Sequence, residues 1–181
     1  MENPHIITDA EEWELLSVRS HACFFTGHRK IRTDALAHIT DAAEEEIRKL
    51  AYEGFDVFLC GGACGFDLFA ANAALRVKKE FPALRLVMVL PCPDQTKGWT
   101  DTDRRLHDAI CARGEVVCIS TAYDDRCMKK RNLFLVDHAS VGIAYYTGAF
   151  RTGTGQTVRY AEKQGIPVIN LADRFGGPKE N

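Results

Sequence analysis

The stretch "ACFFTGHRKI", residues 22–31, joins a short apolar segment to a glycine and three residues that can carry positive charge. Ala22 to Phe25 form a continuous apolar run, which is typical of a strand covered on both faces. Gly27 permits a tight turn, and Arg29 offers a planar fork of donors that suits a phosphate or a carboxylate. The stretch therefore indicates a buried strand whose exit either faces an anionic ligand or is a solvated loop with incidental charge.

Five further apolar runs follow the first strand along the chain, at 55–60, 84–90, 115–120, 141–146 and 166–171. Helix-like segments separate these runs, at 34–53, 67–80, 101–113, 125–138 and 155–164. Strands that alternate with helices are typical of βαβ units. The pattern predicts a single α/β domain with a mostly parallel sheet of about six strands and helices on both faces. In such a sheet, ligands bind beyond the carboxyl ends of the strands.

Length and composition fit one domain. The chain has 181 residues, of which 46% are hydrophobic. Its net charge is −2, and this charge argues against a protein that binds nucleic acid mainly by electrostatic attraction. Its N-terminus lacks the plan of a signal peptide, and no apolar run approaches the roughly 18 residues that span a bilayer. We predict a cytoplasmic protein with a lead-in at 1–20, a binding domain at 21–172 and a tail at 173–181.

Seven cysteines are present, and none forms a C-x-x-C pair. Several lie in apolar runs, where cysteine behaves as a small hydrophobe. We therefore predict reduced, structural thiols rather than a disulfide framework, and no metal site.

A second strand exit carries the sequence "CGGACGFD", residues 60–67. A glycine-rich turn that opens a helix exposes backbone N–H groups, which favour an anion. The candidate ligand-binding residues here are Gly61, Gly62, Ala63, Gly65 and Asp67. The Asp67 carboxylate either caps the helix or accepts a hydrogen bond from a ligand such as a ribose hydroxyl.

A third exit follows the 84–90 strand and contains Gln95 and Trp99. These side chains suit hydrogen bonding and stacking with a base or sugar, although Trp99 alternatively packs the loop onto the core.

The fourth exit, "YTGAFRTGTGQTVRYA" at 146–161, again combines glycines and hydroxyls before a helix. It predicts a second phosphate cradle, formed by Gly153, Thr154, Gly155 and Thr157.

The helix at 125–138 contains Arg131 and Asn132. Both are candidate ligand contacts. Alternatively, Arg131 forms a buried contact with Asp137 that braces the sheet.

Together, "TGHR", "GGACGFD", "LPCPDQTKGW", "CMKKRN…VD" and "GTGQTVRYAEKQGIPVINL" resemble the YpsA-like branch of the SLOG superfamily. This superfamily also includes the LOG phosphoribohydrolases and the DNA-processing protein DprA. The resemblance covers about residues 22–171 and implies a Rossmann-like fold that binds nucleotides or ligands derived from them. It places Gly27, His28 and Arg29 at the floor of the pocket, where His28 either contacts the ligand or holds the loop.

The chain departs from the LOG enzymes after Thr157. Those enzymes carry glutamates just inside the helix that follows, whereas this chain has Arg159 and Tyr160 nearby. Cleavage of an N-glycosidic bond needs a carboxylate at the sugar, so we assign no catalytic residue and leave open whether the protein is an enzyme.

The leading hypothesis is therefore a sensor or binding module for a small nucleotide-type ligand, with no required cofactor. The alternatives are a LOG-like hydrolase that uses Asp67 and, less favoured, a DprA-like protein that binds single-stranded DNA. We expect no membrane or nucleic-acid partner, and the sequence is compatible with a homo-oligomer.

Overall fold

A computed structural model of the chain describes residues 5–175. Its strands are β1 (Ala22–Gly27), β2 (Val57–Cys60), β3 (Arg85–Leu90), β4 (Glu115–Cys118), β5 (Val141–Tyr145) and β6 (Val168–Asn170). Its helices are α1 (Asp9–Ser17), α2 (Thr33–Tyr52), α3 (Phe66–Val77), α4 (Asp101–Cys111), α5 (Cys127–Asp137) and α6 (Gly153–Lys163). Short 3₁₀ turns lie at Arg19–His21 and Leu171–Arg174. The predicted α/β class is confirmed, and each predicted strand and helix is present with bounds that differ by a few residues.

All neighbouring strands of the sheet are parallel, in the order β4-β3-β2-β1-β5-β6. From β1 the chain moves outward through β2 and β3 to β4, and it then returns to place β5 on the other side of β1. The strand order therefore reverses between β1 and β5. Ligands of open α/β sheets bind in the crevice at such a switch point.

Two layers of helices enclose the sheet. Helices α2, α3 and α4 pack on the face that includes Phe25 and Phe58, whose rings stack with centroids 5.8 Å apart. Helices α5 and α6, together with Leu15 of α1, pack on the opposite face, which includes Phe24. Phe24 and Phe25 are both fully buried. The continuous apolar runs of the sequence therefore reflect strands that are covered on both faces.

The lead-in contains α1, which begins with a capping box between Thr8 and Glu11. Ahead of the helix, Ile6 forms a parallel bridge with Cys118 of β4. The predicted tail falls partly outside the described residues, which end at 175. Within residues 5–175, no helix is both long and apolar enough to cross a membrane.

The exit of β1 lies directly against the start of α3. The Phe66 N–H donates to the His28 carbonyl at 3.1 Å. A Cβ at Gly27 would overlap the Phe66 side chain, and a Cβ at Gly65 would overlap the Arg29 carbonyl. These two glycines let the two strand exits approach each other, and the contact fixes the position of the loop that carries Arg29.

This contact predicts a large difference between two glycines that share a φ of +81°. Gly65→Ala introduces both backbone strain and a clash with a carbonyl. Gly98→Ala introduces only the strain, because nothing lies within 4 Å of its Cβ position. We expect Gly98→Ala to lower the free energy of unfolding by about 1–2 kcal/mol, and Gly65→Ala to lower it by about 2 kcal/mol more. Urea denaturation measures both, and equal losses would contradict the close approach.

Candidate functional site

An open cleft of about 670 Å³ lies at the carboxyl ends of β1 and β5, at the switch point of the sheet. Residues from four segments line it. They are Thr26, Gly27, His28, Arg29, Lys30 and Arg32 of β1 and its exit; Ala63 and Asp67 after β2; Met128, Arg131 and Asn132 of α5; and Tyr145, Thr147, Ala149, Thr152, Gly153 and Thr154 of β5 and the start of α6.

Nine of the sixteen residues predicted to bind a ligand line this cleft. They are Gly27, His28, Arg29, Ala63, Asp67, Arg131, Asn132, Gly153 and Thr154. The other seven are not among its lining residues, and they are Gly61, Gly62, Gly65, Gln95, Trp99, Gly155 and Thr157. The structure thus brings together the exits of β1 and β5, the start of α6 and the middle of α5.

His28 joins the two strand exits across the switch point. Its Nε2 accepts the backbone N–H of Thr147 at 3.0 Å, and the backbone N–H of His28 donates to the Tyr145 carbonyl at 3.1 Å. An Nε2 that accepts leaves the ring proton on Nδ1. His28 therefore holds the loop, as one of its two proposed roles requires, and its ring also lines the cleft.

Three cationic side chains, Arg29, Lys30 and Arg32, lie at the β1 exit. Arg29 and Lys30 are exposed, and neither side chain makes a hydrogen bond or ion pair within the described part of the chain. Arg32 is exposed and pairs with Asp34 at 2.7 Å. Arg29 and Lys30 are therefore available to an anion that enters the cleft.

Arg131 lies buried beneath the cleft, with 4% of its surface exposed. Its Nη1 donates to the Gly61 carbonyl, and its Nε donates to Asn132 Oδ1 at 2.8 Å. A Cβ at Gly61 would overlap the guanidinium. Gly61 therefore makes room for an internal arginine, which is a role that the sequence did not reveal.

The predicted brace between Arg131 and Asp137 is wrong. Asp137 is exposed and accepts from the Tyr160 hydroxyl at 2.8 Å. Arg131 instead faces Asp67, with Nη1 and Oδ2 4.0 Å apart. The partner lies on another helix and 64 residues earlier in the chain, so helical spacing within α5 could not identify it.

Asp67 is a buried carboxylate that closes the glycine-rich turn. The N-cap of α3 is Gly65, so the prediction that Asp67 caps the helix is wrong. Its Oδ2 accepts the Ala63 N–H at 3.2 Å. Burial raises the pKa of Asp67 to about 6, although Arg131, the Ala63 N–H and Arg29 each favour the charged form. Burial also lowers the pKa of Arg131.

The two candidate residues of the third exit, Gln95 and Trp99, have structural contacts within the protein. Gln95 is buried and donates through Nε2 to the Gly61 carbonyl at 3.1 Å. Trp99 packs against the core and lies edge-on to His107, with ring centroids 5.6 Å apart. Its packing role, one of the two alternatives, is the one that the structure shows. Gly62 adopts a φ of +65° within the turn.

The start of α6 opens into the cleft at Gly153 and Thr154. Thr152 caps the helix by accepting the Gly155 N–H at 3.0 Å. Gly155 has no room for a side chain beside the Ala149 carbonyl, and the Thr157 hydroxyl turns inward to the Gly153 carbonyl at 2.9 Å. Gly155 and Thr157 therefore shape the helix start, while Gly153 and Thr154 present it to the cleft.

Arg159 lies away from the main cleft. It donates to the Phe150 carbonyl at 3.0 Å and lies over the Phe150 ring, 4.4 Å from its centroid. It lines a smaller groove of about 330 Å³ between α5 and α6. Arg159 is therefore not among the residues that line the main cleft.

Eight lining residues were missed, namely Thr26, Lys30, Arg32, Met128, Tyr145, Thr147, Ala149 and Thr152. Most flank a predicted exit by a few positions. Met128 lies three and four residues before Arg131 and Asn132, a spacing that places all three on one side of a helix. That helical spacing could have identified Met128.

Residues 23–170 match the model of the YpsA family, described as the YspA SLOG family. A UPF0398 protein of Bacillus velezensis is 23% identical over 165 residues, which cover 87% of this chain and 91% of that protein. The UPF0398 protein YpsA of Bacillus subtilis is 24% identical, with coverage of 86% and 90%. A UPF0398 protein of Bacillus licheniformis is 28% identical, with coverage of 87% and 90%.

The fold also resembles that of solved structures. DNA processing protein A from Helicobacter pylori, described for its single-stranded DNA binding mode, has a TM-score of 0.62 and 20% identity over 86% of this chain and 66% of that one. Its counterpart from Streptococcus pneumoniae has a TM-score of 0.61 and 19% identity, over 86% and 50%. The protein TM1055 has a TM-score of 0.52 and 17% identity, over 85% and 79%. This chain therefore spans less than two thirds of each DNA processing protein, and the likeness shows the fold.

The buried carboxylate predicts a pH-dependent stability. A folded pKa of about 6 lies above the ordinary value of 3.8, so the folded protein keeps a proton that the unfolded chain has lost between about pH 4 and 6. The contribution of this group to stability is therefore present below about pH 4 and is lost as the pH rises through 6. We expect Asp67→Asn to raise the free energy of unfolding by about 2–3 kcal/mol at pH 8 and by little at pH 4.

Urea denaturation at both pH values tests this expectation. The matched control is Asp41→Asn, which makes the same change at an exposed position of α2. A gain of the same size in both variants, or a loss of stability in Asp67→Asn at pH 8, would contradict the account of the buried carboxylate.

Proposed function

The chain belongs to the YpsA family of SLOG proteins, and from this membership and the geometry of the cleft we propose that it binds a nucleotide or a ligand derived from one. The site is the cleft at the carboxyl ends of the parallel strands. In this proposal the protein acts as a sensor or binding module rather than as an enzyme.

The charge of the cleft is the observation that carries the proposal. Four basic side chains line it, namely Arg29, Lys30, Arg32 and Arg131, against the single carboxylate of Asp67. The start of α6 adds the backbone of Gly153 and Thr154, and a helix N-terminus favours a phosphate. A phosphate between this helix start and Arg29 would receive donors from both sides of the switch point.

The size of the cleft agrees with a ligand of this class. A volume of about 670 Å³ lies within the roughly 300–1,000 Å³ that small-molecule sites occupy. His28 and its bond to Thr147 hold the two walls in place before a ligand arrives. We therefore expect binding to need little rearrangement of the backbone.

Thermal shift against mono-, di- and dinucleotides tests the proposal. We expect at least one nucleotide to stabilise the protein, by about 2.7 kcal/mol when its concentration is 100 times its Kd. Arg29→Ala should weaken that binding by about 10- to 100-fold, because a hydrogen bond to a charged group is lost. The absence of any shift at millimolar nucleotide would overturn the proposal.

Arg113→Ala is the matched control for Arg29→Ala. Arg113 is also exposed. It lies just before β4, at the amino end of that strand, whereas the cleft lies at the carboxyl ends of the strands. Its loss should leave nucleotide affinity unchanged. If the protein binds single-stranded DNA at low salt more tightly than it binds any nucleotide, the proposal is overturned. DNA binding, the function named for the structurally similar DNA processing protein A, then takes its place.

A second candidate function, hydrolysis of a nucleotide N-glycosidic bond, is favoured by one observation. Asp67 lines the cleft, and its pKa of about 6 suits a general acid or base near neutral pH. The binding-module proposal nevertheless predicts no turnover, because Arg159 and Tyr160 follow Thr157 where the LOG enzymes carry glutamates.

A chromatographic assay for free base with purine and pyrimidine nucleoside monophosphates separates the two functions. We expect no multiple turnover. Clear turnover that falls at least 100-fold in Asp67→Asn, and not in Asp41→Asn, would establish the hydrolase and assign Asp67 as its acid or base.

A further inference from the structure

Asp67 and Arg131 form a buried pair at the cleft whose charged atoms do not reach hydrogen-bond distance. Nη1 of Arg131 and Oδ2 of Asp67 are 4.0 Å apart, and the side chains are only 5% and 7% exposed. A buried ion pair stabilises a protein only when good hydrogen bonds accompany it. This pair lacks the direct hydrogen bond between its two members.

Both side chains also keep hydrogen-bonding capacity that the rest of the protein does not use. The Ala63 N–H occupies Oδ2 of Asp67, and within residues 5–175 Oδ1 accepts no hydrogen bond. Nη2 of Arg131 reaches only the Met128 sulfur, at 4.0 Å. Both residues line the cleft, so a ligand there meets an acceptor and a donor side by side.

A group that both donates and accepts a hydrogen bond suits this pair. A phosphate only accepts and would meet the Asp67 carboxylate as a like charge. An ammonium only donates and would meet the Arg131 guanidinium in the same way. A hydroxyl donates one hydrogen bond and accepts others, so it can give its proton to Asp67 and receive one from Arg131.

On the basis of the proposed function, we propose that Asp67 and Arg131 bind the 2′- and 3′-hydroxyls of a ribose and that Asp67 makes the protein select ribonucleotides over 2′-deoxyribonucleotides. The phosphate then lies at Arg29 and the start of α6, away from the carboxylate. This arrangement orients the ligand along the cleft. It also explains why a carboxylate is kept at a site where burial disfavours its charge.

Titration calorimetry with matched pairs of nucleotides tests the inference at pH 8, where the carboxylate is ionised. The probes are adenosine and guanosine 5′-monophosphates and their 2′-deoxy forms. We expect the wild-type protein to prefer each ribonucleotide by about tenfold or more, since one hydrogen bond to a charged group distinguishes the two sugars. Asp67→Asn should reduce this preference to less than about threefold, because it weakens binding of the ribonucleotide more than binding of the 2′-deoxyribonucleotide, which has only the 3′-hydroxyl to lose.

Two further variants keep the test decisive. Asp67→Ala removes both carboxylate oxygens and should abolish the preference for ribose. This variant is needed because the amide oxygen that Asp67→Asn introduces could still accept a hydrogen bond from the ribose. Asp41→Asn should retain the full preference. The urea midpoint of each variant shows that the folded protein is being titrated.

The outcomes separate the two proposals. If the wild-type protein binds none of the four nucleotides or the wider panel, the proposed function fails. If it binds ribo- and deoxyribonucleotides equally, the proposed function stands and the role of Asp67 fails. If Asp67→Asn changes the preference between adenine and guanine but not between the sugars, the pair contacts a base edge and the inference is overturned.

Discussion

The cleft depends on one internal interaction, the seating of the Arg131 guanidinium against the Gly61 carbonyl. Arg131 comes from α5, on one face of the sheet, whereas Gly61 follows β2, whose exit continues into α3 on the other face. Gln95 donates to the same carbonyl from the exit of β3. One backbone oxygen therefore connects two strand exits and a helix from the opposite layer. Because a side chain at position 61 would overlap the guanidinium, this arrangement depends on glycine.

Some features of the fold and of the cleft could be predicted from the sequence, and others could not. The strands and helices were predictable, because fully buried parallel strands such as Phe24–Phe25 in β1 leave a continuous apolar pattern. The location of the cleft was also predictable, since the exits of parallel strands meet at one edge of the sheet. The roles of the glycines were not. Gly61 and Gly65 indicate an anion cradle in the sequence, but in the fold they accommodate Arg131 and the Arg29 carbonyl.

The remaining errors concern contacts between residues that are far apart in the sequence. Whether Arg131 faces Asp67 or Asp137 depends on how α5 packs against the β2 exit, and nothing local to α5 specifies that packing. The inward turn of the Thr157 hydroxyl and the position of Arg159 over Phe150 likewise depend on how the loop before α6 folds back. Residue type and spacing identified the chemistry available to the cleft, whereas the pairing within it needed the assembled sheet.

The bridge between Ile6 and Cys118 has a consequence for how two copies of the protein can associate. The backbone N–H of Ile7 donates to the Cys118 carbonyl, and the Cys118 N–H donates to the His5 carbonyl, so the segment before α1 occupies part of the outer side of β4. At the other margin of the described sheet, β6 has only three residues. Open strand margins are templates for adding a strand from another molecule, and covered or short ones discourage such growth. Both described margins therefore discourage copies of this chain from extending the sheet into a continuous ribbon.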